Sequence, residues 1–170
     1  MSRFFRGRDG RIEALQPPLT IYLQDHYAGA SAGLHLARRA LDENHSTRYE
    51  PILLELALEI AEDRRALRLL MTRLDLEPSR VKEGIAWMTE RLGRLKLNGR
   101  VTGYSPLSRL LELEWIAAGI AGKRALWLAL AELDEPSLHD LELLMLAERA
   151  TSQLERLEPW RLEAAAEALR

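Results

Sequence analysis

The chain has 170 residues, of which 47% are hydrophobic and 29% charged, with a formal net charge of -2 and no cysteine. This length and apolar fraction suffice for one domain with its own core. The missing cysteine excludes disulfides, thiolate metal sites and cysteine nucleophiles and fits a cytoplasmic location, and the near-neutral charge gives no general pull toward nucleic acid or anionic lipid.

Residues 1 to 16 form a basic arm, with Arg3, Arg6, Arg8 and Arg11 beside Gly7 and Gly10. No sustained period runs through it, so it reads as a poorly ordered or docked extension of the domain at 17–170. Phe4-Phe5 is too short for the apolar region of a secretory signal.

Pro17-Pro18 opens a first helix whose stripe is Leu19, Tyr22, Leu23, His26, Ala30, Gly33, Ala37 and Leu41, ending near Asn44. Thr47 and Glu50 have capping-box spacing, and Pro51 lies in the first turn of a second helix. Leu53, Leu56, Ile60, Asp63, Leu67, Leu70 and Leu74 form its seam, with one charged member. After Pro78, Ser79 caps a crossover helix over about 79–98, through Val81, Ile85, Met88, Leu92 and Leu95 to Asn98-Gly99. Ser105-Pro106 launches a helix to about Leu133, and Asp134-Glu135-Pro136-Ser137 turns the chain into a last helix reaching Leu169, with a kink expected at Pro159.

Leu110 to Leu133 is the most apolar region, but Glu112, Glu114, Lys123 and Arg124 interrupt it, short of the roughly 18 apolar residues of a membrane span. Leucine, alanine, glutamate and arginine dominate, and no run alternates for long with β-branched residues. The predicted fold is all-α: two helical hairpins joined by a helical crossover, with the third helix parallel to the second.

Two stretches echo each other. Pro18-Leu19-Thr20 is followed by His26-Tyr27, and Pro106-Leu107-Ser108 by Glu114-Trp115, with small residues beyond each: Ala28-Gly29-Ala30 and Ala117-Ala118-Gly119. Glu114 shares a helix side with Leu107, Leu110, Leu111, Ala118, Ala121, Ala125 and Leu128, so its carboxylate is expected inside the bundle, where a charge needs a cation, a metal or donors. His26 and Asp63 fall at similar depth if the first hairpin turns at 44–47. On the last helix, Glu148 or Glu155 completes the candidate set. A purely structural reading has Glu114 held by Arg64 or Arg124, and His26 ordered beside Tyr22 and Tyr27. His35 lies on the opposite side of its helix, and His45 and His139 lie near helix ends.

Over residues 18 to about 168 this arrangement resembles the ferritin-like superfamily, whose four-helix bundles carry a dinuclear carboxylate site. The resemblance implies iron or manganese, a glutamate from each of the first and third helices, and Glu-x-x-His from the second and fourth. Glu114 matches the third-helix glutamate, and His26 stands where the first-helix glutamate is expected. The Glu-x-x-His motifs are missing, since Asp63 is followed three residues on by Ala66, Glu62 by Arg65, Glu148 by Thr151 and Glu155 by Glu158. The chain thus reads as a divergent member with His26, Asp63, Glu114 and Glu148 as remnant metal ligands.

Three functional readings follow. The leading one is a non-catalytic binding, structural or assembly role with a degenerate metal site. The second is an iron- or manganese-dependent carboxylate-bridged oxidoreductase or metal-binding protein, with His26, Asp63 and Glu114, and Glu148 or Glu155, as ligands of one or two ions. The third is an adaptor engaging a partner through the basic arm.

Gly99-Arg100-Val101-Thr102-Gly103 lacks P-loop spacing, and the arginines of the arm and of 91–100 sit opposite an acidic last helix, which argues against nucleic-acid binding. Trp115, Leu126, Trp127 and Leu130 make the third helix apolar nearly all round, so the crossover, through Trp87 and Met88, or a second copy in a homodimer is expected to cover its back. Gly29 and Gly33 are expected to admit a neighbouring helix or ring at close range.

Overall fold

The computed structural model describes residues 17–77, 104–133 and 142–170, the single positions 135 and 138, and the backbone of 4–6 and 12–14. The expected crossover helix, with Trp87 and Met88, lies outside the described residues, as does His139. Among the described residues the domain has four helices, α1 (Pro17–Glu43), α2 (Glu50–Arg73), α3 (Pro106–Ala131) and α4 (Leu143–Ala168). Among the described residues strand structure is found in the arm, where β1 (Phe4–Arg6) and β2 (Ile12–Ala14) pair antiparallel with Phe4 opposite Ala14 and Arg6 opposite Ile12.

The helix starts follow their local chemistry. Ser105 has extended backbone and its Oγ accepts the Ser108 N–H at 3.1 Å, with Pro106 in the first turn. At α2 the expected capping box is not formed. The turn passes through Ser46 in the left-handed region, with φ 62, and the Glu50 carboxylate reaches the Ser46 N–H at 2.7 Å and His45 Nδ1 at 2.8 Å. Thr47 Oγ1 accepts the Tyr49 N–H at 3.2 Å instead. At the far end, α4 continues through Pro159 to Ala168.

Side-chain contacts fix the directions. Asn44, at the end of α1, bonds Tyr104 and Arg109 at the start of α3, and Arg109 Nη1 meets Glu167 at the end of α4, 2.8 Å away. Arg48, just before α2, pairs with Glu163 and Glu167. The end of α1, the starts of α2 and α3 and the end of α4 therefore share one end of the bundle. It follows that α3 runs parallel to α2 and antiparallel to α1, as expected. α1 packs on α2 and α3, and α4 packs on α3 and touches α2.

The core divides into two hydrophobic clusters. The one at the Asn44 end holds Leu36, Ala40, Tyr49, Leu53, Leu56, Leu113, Ile116, Ile120 and Leu157, while the far one holds Leu23, Tyr27, Leu67, Leu70, Met71, Leu126, Trp127 and Leu143. The boundary falls between residues 60 and 67 on α2 and between 120 and 126 on α3. Asp63 and Lys123 occupy that boundary.

α3 presents a different face from the one expected. Leu110, Leu113, Ile116, Ile120, Trp127 and Leu130 are buried, whereas Leu107, Glu114, Ala118, Ala121, Ala125 and Leu128 are exposed. The back that seemed to need a cover is the core itself. Among the described residues no helix is long and apolar enough to cross a membrane.

Candidate functional site

Where the two clusters part, a cleft of about 470 Å³ opens between α1 and α3. Gly29, Ala30 and Gly33 line one wall, Ala118, Gly119 and Gly122 the other, and α2 supplies Ile60, Asp63, Arg64 and Leu67 as the floor. Trp115 and Trp127 lie along α3. Gly29, Ala118 and Gly119 are exposed at the mouth, while Ile60, Asp63, Leu67, Ile120, Leu126 and Trp127 are buried.

The glycines do not serve the close packing expected of Gly29 and Gly33. Among the described residues, a Cβ placed on Gly29, Gly33, Gly119 or Gly122 would meet nothing within 4 Å. A mid-helix glycine costs roughly 0.8–1 kcal/mol relative to alanine, and no packing against a described neighbour offsets that cost. What these positions provide is space.

Asp63, 2% exposed, anchors the polar part of the floor. Lys123 donates to its Oδ2 and Arg149 to its Oδ1, and Gln153 Nε2 donates to Oδ2 at 3.1 Å. Lys123 also donates to Gln153 Oε1. Burial pulls the Lys123 ammonium below the ordinary lysine range, against the opposing pull of Asp63. One carboxylate thus faces two cations, with Glu62 3.6 Å from the outer side of Arg149. The Trp127 indole is fully buried, and its Nε1 finds no acceptor among the described residues.

Of the residues singled out by sequence, His26 and Asp63 line this cleft and Glu114 and Glu148 do not. His26 is half-buried, edge-on to Tyr22 at 4.5 Å between centroids, and burial lowers its pKa against the attraction of Asp25. The Glu114 side chain is 45% exposed and lies 3.6 Å from Arg161 of α4, rather than facing the interior beside Arg64 or Arg124. Because α1 and α3 are antiparallel, equal distances from their starts put His26 and Glu114 on opposite sides of the midpoint, which breaks the expected convergence. Glu148 and Glu155 are exposed on α4.

The donor set does not suit a dinuclear iron or manganese centre. Both Asp63 oxygens are engaged by cations, His26 is the one imidazole on the cleft, and among the described residues no group of three or more histidines or carboxylates is placed to hold a metal ion.

Sequence reasoning passed over Lys123, Arg149 and Gln153. Lys123 continues the spacing Leu113, Ile116, Ile120, Trp127, Leu130, and Gln153 sits three residues past buried Ala150, so both had core-facing positions. It also passed over Glu112, 1% exposed at the Asn44 end. Tyr104 donates to Glu112 Oε2 at 2.8 Å, and Arg39 approaches Oε1 to 2.8 Å without the alignment of a hydrogen bond. Burial raises the Glu112 carboxyl above its ordinary range, and burial with the Glu112 charge raises the Tyr104 phenol. This group latches the end of α1 to the start of α3.

No family model matches the chain, and neither a curated protein nor a solved structure matches it.

Proposed function

We propose that this is a non-catalytic binding protein whose cleft between α1 and α3 holds a small, largely apolar molecule. The observation that carries the reading is the space in front of four mid-helix glycines, free of the described residues, above a floor where buried Ile60 and Leu67 flank Asp63 and Arg64. Ligand pockets commonly enclose about 300–1,000 Å³ and combine apolar walls with a few polar groups. At about 470 Å³, with Asp63, Arg64, Lys123 and His26 among apolar neighbours, the cleft fits that description.

We also read the scaffold as ferritin-like, supported by two hairpins with α2 and α3 parallel, and as adapted to binding without the metal ligands. The absence of cysteine supports a reducing, cytoplasmic setting. A homodimer is supported by exposed Leu107 and Leu128 on α3, and sedimentation velocity tests it.

The binding reading is tested with Nile red, a neutral apolar dye that fluoresces on leaving water. Saturable one-to-one binding is expected in the full chain, lost in Gly119→Leu and in Gly29→Leu, with unchanged helical circular dichroism. Binding that is unsaturable, or that survives both substitutions, overturns it.

A further inference from the structure

Among the described residues, Arg64 is the cation on the cleft that no carboxylate pairs with. This residue of α2 lies half-buried on the cleft floor, 4.8 Å over the Tyr27 ring. Its Nε donates to Ser31 Oγ at 2.8 Å and its Nη2 to Tyr27 Oη at 2.7 Å. Both acceptors are neutral, and among the described residues no carboxylate forms an ion pair with it. A guanidinium carries five N–H donors, so two neutral acceptors fix its orientation, and the rest of the fork has no acceptor among the described residues.

The other charges on the cleft do not cancel it. Asp63 is already opposed by Lys123 and Arg149. Asp25 is exposed at the mouth, where solvent screens it. Among the described residues the floor of the cleft therefore carries a half-buried guanidinium with no carboxylate pair, held in place by neutral partners. Planar, two-pronged acceptors suit such a fork, and a carboxylate is the simplest of them.

Resting on the binding reading above, we propose that the ligand is an anionic amphiphile, a monocarboxylate with an apolar tail, whose head pairs with Arg64 while the tail lies along Ile60, Ile120 and Trp127. The immobilised guanidinium meets the head at little ordering cost, and the glycine walls leave room for the chain. Ser31 and Tyr27 act as positioning residues, since they orient Arg64.

Displacement of Nile red by decanoate and decyltrimethylammonium below their micellar concentrations, and by decanol below its solubility limit, tests this assignment in the full chain at low ionic strength. In the wild type, decanoate is expected to bind at least tenfold more tightly than decanol, and the cation most weakly. Arg64→Gln is expected to remove the preference for decanoate while leaving decanol affinity within twofold. Arg64→Lys, which keeps the charge but loses the fork, should retain part of it. Equal affinity for decanoate and decanol in the wild type overturns the head-group assignment, as does a decanoate preference that persists in Arg64→Gln. The failure of the cleft itself looks different: neither dye nor any probe binds, or Gly119→Leu changes nothing.

Discussion

Asp63 is the most exacting place to test this account of the core. Replacing it with leucine removes the acceptor shared by Lys123 and Arg149. Arg149 is 32% exposed and keeps Glu62 at 3.6 Å, so it turns to solvent at modest cost. Lys123 is 12% exposed and retains the Gln153 carbonyl alone, so most of the penalty falls there. Breaking a buried pair from one side costs about 3–5 kcal/mol, whereas replacing both partners by apolar groups is often neutral or better. An upper bound comes from the lysine's own escape: surrendering its proton at pH 7 costs about 1.36 kcal/mol per unit below a pKa near 10.4, or roughly 5 kcal/mol. Asp63→Leu should therefore lose about 3–5 kcal/mol, or roughly 6–20 °C in Tm for a chain of this size, and Asp63→Leu/Lys123→Met should recover at least about 2 kcal/mol of it. Urea unfolding followed by circular dichroism measures both. The single variant also has a pH signature. Without Asp63 the native Lys123 loses its proton at lower pH while the unfolded lysine keeps its own to about 10.4, so the unfolded state binds more protons and stability rises with pH in that window, by up to about 1.4 kcal/mol per unit. A double variant less stable than Asp63→Leu, or a penalty that does not shrink between pH 7 and 10, would refute the assignment of this layer as a charge pair that burial penalises.

Three further outcomes follow from the same structure. Glu112 has a raised native pKa, so its stabilising contribution is complete below the unfolded value near 4.3 and is lost as pH rises through the native value; wild type should lose stability relative to Glu112→Gln between pH 4 and 7, and a pH-independent difference in urea midpoints would contradict this. Glu114→Ala should change stability by less than about 0.5 kcal/mol, because its pairing with Arg161 is long and solvated; a loss above about 2 kcal/mol would return Glu114 to the interior. Ser105→Ala should cost about 1 kcal/mol through the lost N-cap, read as a lowered thermal midpoint, and an unchanged midpoint would count against that cap.

Helix boundaries were legible because proline and serine leave unambiguous marks: Pro17, Pro51 and Ser105-Pro106 all begin helices close to where they were read. The face of α2 was legible too, since Leu53, Leu56, Ile60, Asp63, Leu67, Leu70 and Leu74 are all buried. α3 was not, for a physical reason. Alanines and leucines surround it, so apolar counting favoured the side of Ala118, Ala121 and Ala125, while the larger residues Leu113, Ile116, Ile120 and Trp127 bury the opposing one. Area removed from water rewards large side chains over small ones, and weighting by size selects the observed face. That same correction moves Glu114 outward and Lys123 inward, and it converts an expected metal cluster into a charge pair. Arg149 had no comparable signal, since it reaches Asp63 from the flank of α4.

The glycine walls separate stability from binding in a way few surfaces allow. Gly29 and Gly119 are helical and would meet no atom of the described residues within 4 Å on gaining a Cβ. Each substitution to alanine should then stabilise the chain by about 0.4–1 kcal/mol, through helix propensity and a less free unfolded state, and the pair should raise Tm by roughly 2–8 °C. A methyl group removes little of a 470 Å³ cleft, so the alanine pair should still bind Nile red, whereas leucine at either position should not. If alanine destabilises instead, these walls are packed in solution against something that covers them, a segment of the chain itself or a second copy, and the cleft is an interface rather than a ligand pocket. Stability that rises while binding persists can come only from a wall that faces open space.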